Sequence, residues 1–227
     1  MYFYYLLAIP VVFGIIATTQ GYLPLKLGVP GVCALILVAF FGRRMRRDIW
    51  YVVAAFVFSM VGDTFLSTRG DDEMMFVYGI GGFFLAHLGY LGYALANGKV
   101  HRAALLILTA GYVPFFIWSL NPAIDEAILS GAVLVYLLIS VLVLAAAIGL
   151  RLVGLPNWTY VAGITSIVVS DTFIAFNEFL DLTTFNDWIL PTYYFAHIII
   201  TYGILNRGHA ELEDESDPMA AAMQTED

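Results

Sequence analysis

The chain alternates long apolar runs with short polar breaks. Eight runs are long enough, or nearly so, to cross the ~30 Å hydrocarbon core of a bilayer: residues 2–18, 25–41, 49–67, 74–96, 103–120, 124–150, 158–176 and 188–205. The pattern predicts an all-α polytopic membrane protein with eight transmembrane helices. The second run carries Pro30 and Gly31 near its start. The first has no basic leader and no small-residue cleavage pattern, so it is expected to stay as a helix rather than act as a signal peptide.

Two of these runs repeat each other. Residues 50–66 align without gaps on residues 158–174, with seven of 17 positions identical, including Trp50/Trp158, Asp63/Asp171, Thr64/Thr172 and Phe65/Phe173. Four helices separate the copies, an even number, so both copies face the same way. The expected arrangement is two parallel four-helix halves, roughly 1–98 and 99–208, about an axis along the membrane normal. Pro10 and Pro114 sit at similar places in the first helix of each half. Residues 1–208 then form one integral membrane domain. Seven of the 18 acidic residues fall in the last 17 positions, and 209–227 is expected to be a disordered acidic tail.

Loop charge gives the orientation. The even-numbered loops and the C-terminal flank hold Arg43, Arg44, Arg46, Arg47, Lys99, Arg102, Arg151 and Arg207, whereas the odd-numbered loops hold only Lys26 and Arg69. Eight basic residues against two put the even loops and both termini in the cytoplasm. Trp50 and Trp158 then mark cytoplasmic helix ends, and Trp118 and Trp188 outer ends, as interfacial anchors do. The Arg43–Arg47 cluster reads as an orientation signal that touches anionic lipid. The sequence shows no eukaryotic sorting signal, and a bacterial inner membrane is the expected location.

Composition agrees. The chain is 61% hydrophobic and 12% charged, with a mean hydropathy of +0.84, against about 25% charged residues in a soluble domain. Nothing indicates a soluble domain or a nucleic-acid partner. The single cysteine, Cys33, lies in an apolar run and reads as a small buried hydrophobe.

The polar residues inside the runs carry the candidate chemistry. Asp63 lies ~20 Å from the cytoplasmic end of its helix at 1.5 Å per residue, and Asp171 at the matching depth. His87 and His197 follow in the next helix of each half. At helical spacing around them lie Ser59, Tyr90, Tyr193, Tyr194 and Thr201, with Ser170 beside Asp171 and Glu178 seven residues on. A charged aspartate at the centre of a membrane helix costs ~2.5–3.5 kcal/mol on insertion scales, so two at matched depth need a reason. Each could simply accept hydrogen bonds and pin two helices. Alternatively, the pair faces a polar cavity that does chemistry or transport. For the histidines a purely structural role weighs about evenly with a functional one. The glycine-rich stretch Gly79, Gly81 and Gly82 reads as close helix packing.

Some functions are excluded. A retinal protein needs a lysine inside its last helix, and Lys26 and Lys99 both fall in expected loops. The chain has no G-x-S-x-G elbow, no H-E-x-x-H and no P-loop.

The segments V-G-D-T-F-L with G-G-F-F-L-A-H-L-G-Y, and V-S-D-T-F-I with P-T-Y-Y-F-A-H-I, resemble the YhhN-like family of multi-pass membrane proteins, over nearly the whole chain. Its characterised members are lysoplasmalogenases. The resemblance implies hydrolysis of the vinyl ether bond of a lysoplasmalogen, giving a fatty aldehyde and glycerophosphoethanolamine or glycerophosphocholine. It maps the family's two motif aspartates, its proposed catalytic pair, onto Asp63 and Asp171. The family often carries glutamine where this chain has His197, and a neutral hydrogen-bonding role suits both residue types.

Such a reaction begins with proton transfer to the terminal vinyl carbon and leaves an oxocarbenium ion for water to attack. It needs an acid, a carboxylate and a wet pocket near acyl-chain depth. Two carboxyl groups sharing one proton supply the first two, as two carboxylates do in glycosidases. No metal or other cofactor is required. The expected partners are a lysophospholipid and the bilayer. Ser59, His87, Tyr90, Ser170, Tyr193, Tyr194 and His197 are the expected pocket residues. Two other readings stand beside this one. Asp63, His87, Asp171 and His197 could hold zinc in a metal-dependent lipid hydrolase, or the buried ionisable groups could serve a proton-coupled carrier.

Overall fold

The computed structural model describes residues 3–70 and 72–216. Among these the protein is all-helical, with nine α-helices and no strand. Helices α1 (Phe3–Leu6) and α2 (Ala8–Gln20) make the first span, followed by α3 (Leu23–Phe41), α4 (Arg47–Thr68), α5 (Glu73–Ala96), α6 (Arg102–Phe115), α7 (Ala127–Ile148), α8 (Leu155–Leu180) and α9 (Asn186–Ser216). Eight helical segments are long and apolar enough to cross a membrane. The chain is an integral, multi-pass membrane protein.

Prolines explain the irregular places. Pro10 has no N–H to offer the carbonyl of Leu6, and the first span breaks at Leu7, between α1 and α2. After Pro114, α6 widens into a π-turn over Phe116–Leu120 and then a 3₁₀ turn over Asn121–Ala123. Pro30 and Pro191 lie inside α3 and α9 and leave the carbonyls of Lys26 and Asp187 without an intrahelical donor. Lys26, expected in a loop, instead sits in the first turn of α3. The last helix runs on to Ser216, through the first part of the stretch expected to be a disordered tail. Residues 217–227 lie outside the described residues.

Six helices close a ring in which successive neighbours pack together: α3, α4, α5, α7, α8, α9 and back to α3. Outside it α2 lies against α3 and α9, and α6 against α7. Exchanging α3–α4–α5 with α7–α8–α9 maps this ring onto itself. The parallel-repeat arrangement remains a proposal, which this neighbour order supports.

The closest pairs are α4 with α5 and α8 with α9, the helices that carry the repeated motifs. Glycine makes the first approach possible: a Cβ on Gly82 would lie 2.7 Å from the Gly62 nitrogen. Small residues at such crossings let backbones meet where the hydrophobic effect gives helices no reason to associate.

At the basic end a polar clasp joins α4, α5 and α9. Arg207 Nη1 donates to Asp48 Oδ2 at 3.0 Å and to Asn97 Oδ1 at 2.9 Å, while Asn97 Nδ2 donates to Asp48 Oδ2 at 3.1 Å. Arg46 ties in through Asp48 and Glu211. Above the clasp the ring is filled by buried side chains, among them Phe56, Tyr90, Tyr93, Tyr160 and Ile164. Trp50, Trp118, Trp158 and Trp188 all point outward from the bundle.

Candidate functional site

At the end of the ring away from the clasp the helices enclose a chamber of about 490 Å³. Its walls come from α4 (Asp63, Leu66, Ser67), α5 (Phe83), α8 (Ser170, Asp171, Ile174, Asn177, Glu178) and α9 (Asn186 to Tyr193), with Lys26 of α3 and Arg69 at its mouth. Both motif aspartates therefore face one space. Each stands 16 residues into its helix, from Arg47 to Asp63 and from Leu155 to Asp171, so ~24 Å from the basic end.

Each aspartate is held by a tyrosine. Tyr193 donates to Asp63 Oδ2 at 3.0 Å, and Tyr136 of α7 donates to Asp171 Oδ2 at 2.8 Å. Asp171 also borders two small apolar crevices. One is formed with Leu66, Phe76, Ile80 and Phe179, the other with Tyr112, Phe115, Leu137 and Val168. Asp63 lines the polar chamber and neither crevice. The two carboxylates thus have different surroundings.

The histidines form the layer behind. In the segments F-F-L-A-H and Y-Y-F-A-H, Nδ1 of His87 is 2.9 Å from the Phe83 carbonyl, and Nδ1 of His197 is 2.9 Å from the Tyr193 carbonyl. A carbonyl only accepts, so Nδ1 carries the proton and Nε2 is left as an acceptor in the neutral ring. Nε2 of His197 takes the Tyr90 hydroxyl at 3.3 Å. Nε2 of His87 lies 3.8 Å from Asp171 Oδ2 and 3.3 Å from the Ser140 hydroxyl. That hydroxyl also reaches the Tyr136 carbonyl at 2.8 Å.

The expected pocket residues therefore divide. Asp63, Asp171, Ser170 and Tyr193 line the chamber, and Ser170 donates to the Ile189 carbonyl. Ser59, His87, Tyr90 and His197 are buried beneath it, with Ser59 in reach of the Tyr90 and Tyr193 hydroxyls. Tyr194 turns away, packing against Gly14 of α2 with its hydroxyl unpartnered among the described residues. Asp63, His87, Asp171 and His197 do not converge as a ligand set. Among the described residues no group of three or more His, Cys, Asp and Glu side chains is arranged to hold a metal ion.

Sequence reasoning missed Tyr136 and Ser140. They stand four apart in an otherwise apolar run, a one-face polar signal that could have marked them. It also treated Lys26 and Arg69 only as loop charges.

A family model, the YhhN family, matches residues 25–204. The chain belongs to the YhhN family. The match takes in both aspartates, both histidines and the tyrosines that hold the carboxylates. No curated protein and no solved structure matches the chain. In this YhhN protein both Asp–Tyr pairs, and all of the chamber lining except Thr18, lie within the matched region. Membership is consistent with a membrane hydrolase.

Proposed function

We propose that the protein hydrolyses the vinyl ether bond of lysoplasmalogens, with Asp171 as the proton donor and Asp63 as the base. The observation that carries this reading is the asymmetric carboxylate pair: two aspartates on one chamber of about 490 Å³, only one of them also bordering apolar crevices. In R–CH=CH–O–R′ the carbon to be protonated lies on the chain side, and the carbon that water attacks lies beside the oxygen. An acid next to apolar space and a carboxylate in polar space match that order.

The protons balance around the cycle. Asp171 gives its proton to the chain-side carbon, leaving R–CH₂–CH=O⁺–R′. Water adds to the oxocarbenium carbon, and Asp63 takes its proton. The hemiacetal then collapses: Asp63 returns the proton to the glycerol oxygen as the C–O bond breaks, and Asp171 takes the hydroxyl proton. The products are a fatty aldehyde and the glycerophospho alcohol, with both side chains back in their starting states. Tyr193 and Tyr136 hold the carboxylates without spending them. The neutral ring of His87 stands beside Asp171, 3.8 Å from its Oδ2, without adding a charge.

The carrier reading has less support, because buried Phe56, Tyr90 and Tyr160 fill the ring below the chamber and make it blind. By the loop charges, the chamber opens to the non-cytoplasmic side of what we take to be a bacterial inner membrane. Purified protein incubated with a lysoplasmalogen should release aldehyde with or without a strong chelator. Absence of aldehyde from folded protein would remove the proposal.

A further inference from the structure

We infer that the chamber mouth is a subsite for the phosphodiester head group of an amphiphile, with Lys26 as its principal phosphate ligand. The inference rests on the reading of the chamber as a lysolipid site and adds the group that orients the lipid.

Two cations and two carboxylates meet at this mouth: Lys26, Arg69, Glu178 and Asp187. They are not equivalent. Arg69 is committed, its Nη2 lying 2.7 Å from Glu178 Oε2 and its guanidinium 4.5 Å from the centre of the Phe76 ring. Lys26 is half-buried on the first turn of α3, and among the described residues it has no carboxylate in ion-pairing reach. It acts on Asp63 through space, without a bond. A half-buried lysine without a bonded counter-ion, on a chamber of about 490 Å³, is a site for an anion. That volume is within the ~300–1,000 Å³ of small-molecule pockets.

The surroundings define the anion. Apolar crevices start at Asp171, on the α8 side, whereas Lys26 acts on Asp63. An occupant spanning both must carry its charge at one end and a hydrocarbon at the other. Phosphate on Lys26, with a cationic head-group nitrogen toward Asp187, satisfies the two charges that the Arg69–Glu178 pair leaves over. It also directs the ether bond between the two aspartates. Lysine serves phosphate as a compact point charge, and such contacts are charge-assisted.

The test measures binding of probes that cannot react. A tritiated saturated ether lysolipid, 1-O-hexadecylglycerophosphoethanolamine, has no vinyl bond, and 1-O-hexadecylglycerol has no phosphate. Full-length protein in detergent should bind the first about tenfold or more tightly than the second, the worth of one charge-assisted hydrogen bond. Lys26→Gln should erase that difference while leaving hexadecylglycerol binding unchanged, and Lys26→Arg should restore most of it. The paired variant Arg69→Gln/Glu178→Gln, which removes a pair already satisfied within the protein, should leave the difference between the probes in place. The inference is overturned if Lys26→Gln weakens both probes alike or neither. It is also overturned if inorganic phosphate competes as well as glycerophosphoethanolamine, which would make the mouth a free-anion site. Phosphate-dependent binding without aldehyde release would keep the subsite and remove the hydrolase reading. Aldehyde release with an unchanged KM in Lys26→Gln would do the reverse.

Discussion

Replacing Asp171 by asparagine separates a proton carrier from a helix pin. Asparagine has nearly the volume of aspartate, and its Oδ1 can still accept the Tyr136 hydroxyl that now lies 2.8 Å from the carboxylate. The contacts that hold α7 to α8 at this point therefore survive, and the unfolding temperature in detergent should change by only a few degrees. What is lost is the proton. Removing a general acid or base costs ~10²–10⁴ in rate, or ~3–5 kcal/mol of barrier at 1.36 kcal/mol per decade. Asp63→Asn should cost a similar amount, since Tyr193 can bond the amide oxygen as it does the carboxylate. The double variant should be little slower than either single one, because the pair passes one proton around a cycle and acts as a unit. The assay is aldehyde release from a lysoplasmalogen, with the unfolding midpoint recorded on the same sample. Full activity in either folded single variant would refute the carboxylate-pair mechanism.

Three further outcomes are expected. His197→Gln should lose less than about tenfold in aldehyde release, because glutamine can replace both a donor to the Tyr193 carbonyl and an acceptor for the Tyr90 hydroxyl. A severe loss in both His197→Gln and His87→Gln, joined by inactivation with a chelator, would instead favour a metal site. Gly82→Ala should destabilise the protein by ~1–3 kcal/mol in a detergent unfolding assay, since its methyl would press on the Gly62 backbone at 2.7 Å. Gly81→Ala, which meets nothing within 4 Å, should be neutral, and equal effects at the two sites would reject the packing argument. Reporter fusions at Asn97 and at the C-terminus should read cytoplasmic and a fusion at Asp72 external. An external C-terminus would contradict the orientation drawn from loop charge.

The spans were legible because hydropathy over about 20 residues is a strong, local signal. The aspartates were legible for a related reason: a carboxylate in an apolar run is costly, and two in register are conspicuous. Helix ends were less so. The turn at Leu7 and the π-turn after Pro114 depend on how neighbouring groups take up a lost hydrogen bond, which hydropathy does not report. The extension of α9 past Leu205 is polar, and the Arg207–Glu211 contact at 3.0 Å and the clasp support it. Side-chain direction was the least legible. Tyr193 and Tyr194 are adjacent and equally polar on paper, yet a 100° step around α9 sends one to Asp63 and the other to α2. Tyr136 was hidden because its partner, Asp171, lies 35 residues away on another helix.

The departures from repetition bear most directly on the chemistry. Position 193 in Y-Y-F-A-H is matched by Phe83 in F-F-L-A-H, so one copy of the segment supplies a hydroxyl and the other a bare ring. Tyr193 gives Asp63 its hydrogen bond, while Phe83 lines the chamber with no donor, and Asp171 draws its hydroxyl from Tyr136 on a different helix. Two identical carboxylates in identical settings would have no reason to divide a proton unequally. Here one is set in polar space under the influence of Lys26, and the other stands where apolar crevices meet, beside the lone pair of a neutral imidazole. An acid and a base are distinguished by such differences. On this view the shared Asp-Thr-Phe segments supply two carboxylates at equal depth, and unlike residues at 83, 136 and 193 assign each of them a separate part of the reaction.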